Sequence, residues 1–227
     1  MVRLHALPTA PAASVASVSA VPTVVPLDPS DRARAGECLA RAFQDDPVWA
    51  GVFPDPARRA VALSAMFRAL VRVHACYGRP LTTAQLSGVA LWRPPGAAPG
   101  LVDTLRTRAA LPRVVARLGA AERHRMMRTL RQFAGRRTTL VPEPHWYLEA
   151  IGVEPEKQGS GVGTALVTEV LGQADAHRTP CYLETETEAN VRFYTRLGFE
   201  VAEEHVADAL GVPVWLMTRR PRAAGQP

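Results

Sequence analysis

Val153-Glu154-Pro155-Glu156-Lys157-Gln158-Gly159-Ser160-Gly161-Val162-Gly163-Thr164-Ala165-Leu166 is the stretch that decides the fold. It follows an apolar run, His145 to Val153, and leads into Thr164 to Ala176, where apolar residues recur at helical spacing; it therefore joins a strand to a helix. Gly159, Gly161 and Gly163 alternate along it, letting the backbone turn tightly and leaving its N–H groups uncovered. At a helix N-terminus those groups lack internal partners, and the macrodipole adds positive potential. Such a turn suits a phosphate or pyrophosphate, although a plain glycine-rich turn has the same composition. Two phosphate loops are excluded by spacing. A Walker loop needs a lysine between its last glycine and the Ser/Thr, and Gly163-Thr164 has none. The dinucleotide fingerprint is GxGxxG at the start of a βαβ unit, whereas this is GxGxG, late in the chain and preceded by Gln158.

Outward from this segment, strands and helices alternate. Val21 to Leu27 reads as a short strand, and Asp28-Pro29-Ser30-Asp31 starts a helix that ends near Asp45-Asp46-Pro47. Pro56 opens a second helix, stopped by Gly78. Val89-Ala90-Leu91-Trp92 is a compact strand, and helices fill roughly 101–135. Downstream come a strand at Cys181 to Glu184, a helix from Asn190 to Leu197 closed by Gly198, and strands near 199–206 and 212–218. The pattern predicts an α/β or α+β domain over residues 21–222, with a flexible N-terminal tail at 1–20 and a short C-terminal tail at 223–227.

Composition narrows the class. At 47% hydrophobic and 21% charged residues the chain is not disordered throughout. No apolar run nears the roughly 18 residues of a bilayer span, and Pro8 and Pro11 break up any signal-peptide core. Cys38, Cys76 and Cys181 form no CxxC pair, and the six histidines show no ligand spacing, so neither a disulfide framework nor a metal site is expected and a reducing cytoplasm is the default. Arginine supplies 26 of 27 basic residues, a codon bias of GC-rich genomes with no functional content. The charge is unevenly spread: +8 over Leu101–Arg137 and −9 over Glu143–Asp208. The basic stretch has one aromatic, Phe133, which speaks against nucleic-acid stacking and for a solvated helix face, an anion site or a partner for the acidic half.

Gln158-Gly159-Ser160-Gly161-Val162-Gly163, with its Val-x-Pro lead-in, resembles the acetyl-CoA loop of the GNAT superfamily of N-acetyltransferases. Asn190-Val191-Arg192-Phe193-Tyr194-Thr195-Arg196-Leu197-Gly198-Phe199 resembles that superfamily's second signature, in the expected order and separation. Trp146-Tyr147-Leu148, Leu183-Glu184-Thr185, Trp215-Leu216-Met217-Thr218-Arg219 and Ala42-Phe43 with Asp45-Asp46-Pro47 are similar to the puromycin N-acetyltransferase branch. The likeness spans about residues 21–220. It implies a mixed, mostly antiparallel sheet splayed at the acetyl-CoA site, with helices on both faces.

The resemblance also implies roles. Main-chain groups of Ile151, Gly152 and Val153 would hold pantetheine, and Gln158, Gly159, Ser160, Gly161, Val162, Gly163 and Thr164 the pyrophosphate. Tyr194 would protonate the departing thiolate, or else be a core tyrosine with a satisfied hydroxyl. Asn190 would touch the cofactor arm, or cap its helix. By period-two alternation Tyr147, Glu149, Ile151 and Val153 share one strand face, which makes Glu149 a candidate base. Glu184 is a second candidate, and a base acting through water, or none, also stands. Asp46, Trp49 and Trp92, with Phe53, are candidate acceptor-pocket residues, although a core explains the aromatics equally well. The expected activity is acetyl transfer from acetyl-CoA to a primary amine of an antibiotic-type or secondary-metabolite small molecule, by a monomer or homodimer with no metal and no membrane or nucleic-acid partner. A protein or peptide N-acetyltransferase and a non-catalytic acyl-CoA-binding module are the alternatives.

Overall fold

The computed structural model describes residues 22–97 and 118–222. The expected tails and residues 101–117 of the arginine-rich stretch lie outside them. Two of the helix starts are set by aspartates. Asp46 accepts from the N–H groups of Val48 and Trp49 to begin α2 (Pro47–Val52), and Asp55 accepts from that of Arg58 to begin α3 (Pro56–Tyr77). Each is followed by a proline at the first helical position, where no N–H is needed. The remaining helices are α1 (Arg32–Ala42), α4 (Ala120–Leu140), α5 (Val162–Ala176) and α6 (Glu188–Arg196).

The strands are β1 (Val24–Pro26), β2 (Arg79–Thr83), β3 (Gly88–Arg93), β4 (Trp146–Val153), β5 (Cys181–Thr185), β6 (Glu200–Ala207) and β7 (Val212–Arg219). They form one sheet in the order β1-β2-β3-β4-β5-β7-β6, in which β4 and β5 alone run parallel. This is the mixed, mostly antiparallel sheet implied by the GNAT resemblance. On one face α5 packs Leu166, Val167, Val170 and Ala174 against Ala90, Trp92, Trp146, Leu148 and Leu183. On the other, α1 and α3 pack Leu39, Leu63, Phe67 and Val71 against Val89, Leu91 and Ala150. α3 is the one described helix long and apolar enough by composition to cross a bilayer; here its apolar stripe lies on α1 and the sheet.

Two elements differ from the sequence reading. β2 was not expected after Gly78, because Arg79-Pro80 reads as a breaker. Pro80 sits one step beyond the register shared with β1 and uses its carbonyl, accepting from the Leu27 N–H at 3.0 Å. The six-residue α2 is too short to show helical periodicity, and its cap was read as the end of α1.

The site-forming irregularity is in the middle of the sheet. β4 and β5 pair only through Trp146↔Cys181, Tyr147↔Tyr182 and Leu148↔Leu183. Immediately beyond, the β3–β4 register jumps from Trp92↔Leu148 to Leu91↔Ala150, leaving Glu149 as an extra residue without a partner in β3. A bulge bends its strand, and here it turns the second half of β4 away from β5. Gly152 permits the bend to pack: a Cβ there would lie 2.7 Å from that of Ala42 in α1.

Candidate active site

The diverging strands open a cavity of about 1090 Å³ that passes from one face of the sheet to the other. The N–H of Glu154 donates to Ser87 of the β2–β3 turn, so the main-chain groups of Val153, one residue back, point the other way, into the gap; by alternation those of Ile151 do too. Arg41 at the end of α1 holds Glu154 with two hydrogen bonds, of 2.9 and 2.6 Å, fixing the strand end from which the loop departs. In the loop, Gly159 and Gly161 have φ of +76° and +85°, conformations that a side chain would strain, and no atom lies within 4 Å of where either Cβ would stand. Gly161 is the cap residue of α5, so the loop presents uncovered N–H groups at a helix N-terminus. These features fit a pyrophosphate approached by backbone alone.

Of the residues expected to hold the donor, Ile151, Gly152, Val153, Gln158, Gly159, Gly161, Gly163, Thr164, Asn190 and Tyr194 line the cavity. Ser160 and Val162 do not: the Ser160 hydroxyl turns back to the Lys157 carbonyl, and Val162 is buried against Gly88 beneath the loop. Asn190 is not the helix cap. Thr187 is, its hydroxyl accepting from the Asn190 N–H at 3.2 Å. Tyr194 is buried and lines the cavity, with its ring edge-on to Phe193 and Phe199. Burial and then the charge of Glu186 push its hydroxyl well above the ordinary phenol value, so it keeps its proton at neutral pH.

The acceptor-side candidates fall in two places. Asp46 and Trp49 line the cavity, as do Met126 and Thr129 of α4. Trp92 and Phe53 are core residues instead. Trp92 is fully buried on the α5 face, edge-on to Trp146, and Phe53 is packed with Val52 and Met126.

The two candidate bases have opposite environments. Burial would raise the Glu149 carboxyl, but contact with His74 (3.5 Å) and the paired Arg93 overcome it and hold the group below its ordinary value, as a spent anion. Burial pushes Glu184 up to about 7, even though it accepts from the Tyr182 hydroxyl at 2.9 Å and Tyr147 favours its charged form. A carboxylate with that value holds and releases a proton near neutrality. Glu186, two residues on, also lines the cavity and was missed in the sequence. Burial, with the charges of Asp46 and Glu184, raises it strongly; burial likewise lifts Asp46, to about 6. The alternation Glu184-Thr185-Glu186 was the legible signal, since residues two apart in an extended chain share a face. Among the described residues no group of three or more His, Cys, Asp or Glu is gathered to hold a metal.

A family model described as the acetyltransferase (GNAT) family matches residues 113–199, from the second half of the arginine-rich stretch through both signatures. Solved structures share the fold. A structure described as histone acetyltransferase HPA2 and related acetyltransferase, from Corynebacterium glutamicum, aligns with a TM-score of 0.67 at 24% identity over 91% of this chain and 100% of that one. Arylalkylamine N-acetyltransferase 2 from Aedes aegypti aligns at 0.57 and 13% identity, over 88% of this chain and 99% of that one. The polyamine N-acetyltransferase of Drosophila melanogaster aligns at 0.54 and 14%, over 87% and 99%. The family model lies across the split strands, the glycine loop and the Tyr194 helix, so this part of the chain resembles the GNAT acetyltransferases, on a sheet shared with these proteins.

Proposed function

We propose that the protein transfers the acetyl group of acetyl-CoA to a primary amine of a cationic small molecule, of the antibiotic or secondary-metabolite kind suggested by the likeness to the puromycin N-acetyltransferase branch. The observation that carries this reading is the polarity of a single cavity. One end is a glycine loop at a helix N-terminus, suited to an anionic donor. The other end holds Asp46, Glu184 and Glu186, suited to an ammonium group. Met126 and Thr129 of α4 add one apolar and one hydroxyl side chain to the lining of the same cavity. Free Cys38, Cys76 and Cys181 suit a reducing cytoplasm.

In this reading the loop from Gln158 to Thr164 holds the pyrophosphate, and the main-chain groups of Ile151 and Val153 align the pantetheine arm along β4. Acetyl-CoA supplies an acyl group already activated as a thioester. Glu184 takes the proton from the acceptor's ammonium and frees its lone pair. Tyr194, whose hydroxyl stays protonated, holds a proton at the donor end of the gap. Glu149, paired with Arg93 and His74, orients the bulge and takes no proton.

Glu184→Gln tests the assignment. It keeps the carboxamide in place of the carboxylate, so acetyl-CoA affinity by calorimetry should be unchanged. Turnover of a panel of amines, read as free thiol, should fall by roughly 10²-fold and lose its acidic limb near pH 7. A limb that survives in Glu184→Gln removes Glu184 from the role.

A further inference from the structure

The arginine-rich stretch ends in the last turn of α4, at Arg137. Its guanidinium carbon lies 4.5 Å from the centre of the Tyr147 ring, the closest cation–ring contact among the described residues. Tyr147 belongs to the paired half of β4, with its ring 5.7 Å from that of Tyr182 in β5. The Tyr182 hydroxyl donates to Glu184 at 2.9 Å, and Tyr147 favours the charged form of the same carboxyl. A second arginine, Arg93, also faces the Tyr147 ring, at 5.3 Å, but its charge is taken up by Glu149.

We propose that Arg137 is a positioning residue for acetyl transfer: its guanidinium packs on the Tyr147 ring, fixes that ring against Tyr182 beside the Glu184 carboxylate, and sets one positive charge over the group. The inference rests on the assignment of Glu184 as base. A cation on an aromatic face is attracted by the ring's quadrupole, which favours one ring orientation. Its charge also favours the ionised carboxylate, the form that accepts a proton.

The groups facing Glu184 are few. Tyr182 lies on its own strand, with His145 edge-on to that ring at 5.9 Å. Tyr147 and Glu149 come from β4, Glu186 follows β5, and Arg137 descends from α4. Burial raises the carboxyl most. Tyr147, Tyr182 and Arg137 act against it, while Glu149 adds to it. Arg137 is thus the cation in the set, and it is supplied by a helix outside the sheet.

The test is a direct titration that needs no acceptor. Protein labelled with δ-¹³C glutamate is titrated by NMR, the Glu184 resonance being the one lost in Glu184→Gln. In the wild type it should titrate at about 7. In Arg137→Met the midpoint should rise by roughly half a unit to one unit, with Arg137→Lys, which keeps the charge, lying between the two. Tyr147→Phe should move it in the same direction. Arg137→Gln serves if the methionine variant does not fold. Kinetics with acetyl-CoA and 2-phenylethylamine as probe should show the acidic limb of kcat/KM rising with the NMR midpoint, so the loss is largest at low pH. A midpoint equal in Arg137→Met and active wild type, or a pH-independent loss, overturns the inference alone. Failure of the wild type to acetylate any amine overturns the proposed function, and the catalytic part of this inference with it.

Discussion

Tyr194 illustrates what one residue contributes to this site. Its ring is fixed between Phe193 and Phe199, at 5.0 and 5.8 Å, and the residue lines the cavity where β4 and β5 separate. Tyr194→Phe removes the hydroxyl and keeps those ring contacts, so the fold should lose no more than about 1 kcal/mol. Turnover should fall by roughly 10²-fold in kcat and kcat/KM alike, with acetyl-CoA binding retained, as expected when a proton donor is lost from the transition state only. Normal turnover in Tyr194→Phe would return the residue to a packing role. The place of Tyr194 beside the cavity was legible because it sits inside a signature with fixed neighbours. Glu186 was passed over because it lies one residue past the end of β5, although its two-residue step from Glu184 was there to be read. Trp92 was misplaced for a related reason: on a central strand both faces are covered, and a bulky residue reads alike whichever layer it enters.

The elements are tied together at points the sequence does not advertise. Arg219, the last residue of β7, is buried, and its guanidinium makes two hydrogen bonds, of 2.7 and 2.8 Å, to Asp175 in the last turn of α5. The same arginine donates to the Leu197 carbonyl at 3.1 Å, so one side chain joins β7, α5 and the end of α6. Asp175→Asn leaves that charge buried without its partner and should cost about 3 kcal/mol in urea unfolding. The hydrogen bond from Arg219 holds the Asp175 carboxyl below its ordinary 3.8. Its contribution is therefore complete above 3.8 and is lost as the pH falls through the lower folded value. Wild type and Asp175→Asn should converge in acid; a gap that persists there would assign the loss to packing. β4, β5, α5 and α6 were readable to within a few residues because their apolar periods are long and glycine or proline marks their ends. The pairing of Arg219 with Asp175 was not, since two charges 44 residues apart carry no periodic signal.

At the scale of the molecule, the acidic second half of the sequence is resolved into two uses. Some acids are neutralised, as Glu154 is by Arg41, Asp175 by Arg219 and Glu149 by Arg93. Glu184 and Glu186 face the cavity with Asp46 from the first half. An acceptor carrying its own carboxylate beside the amine should be rejected there by like charge. Tyramine should exceed tyrosine in kcat/KM by at least about tenfold, a difference of about 1.4 kcal/mol. Equal rates would place the acceptor's amine away from the three acids. The split between β4 and β5 has one more consequence. It leaves backbone donors and acceptors of β4 facing water in the middle of a sheet, where a neighbouring strand would ordinarily cover them. A molecule lying along that seam completes the ladder, and it can do so only on the folded chain. Such a ligand adds to stability by mass action, with each hundredfold excess over its Kd worth about 2.7 kcal/mol. The lifetime of the empty protein and the supply of its donor are thereby linked through a single missing row of hydrogen bonds.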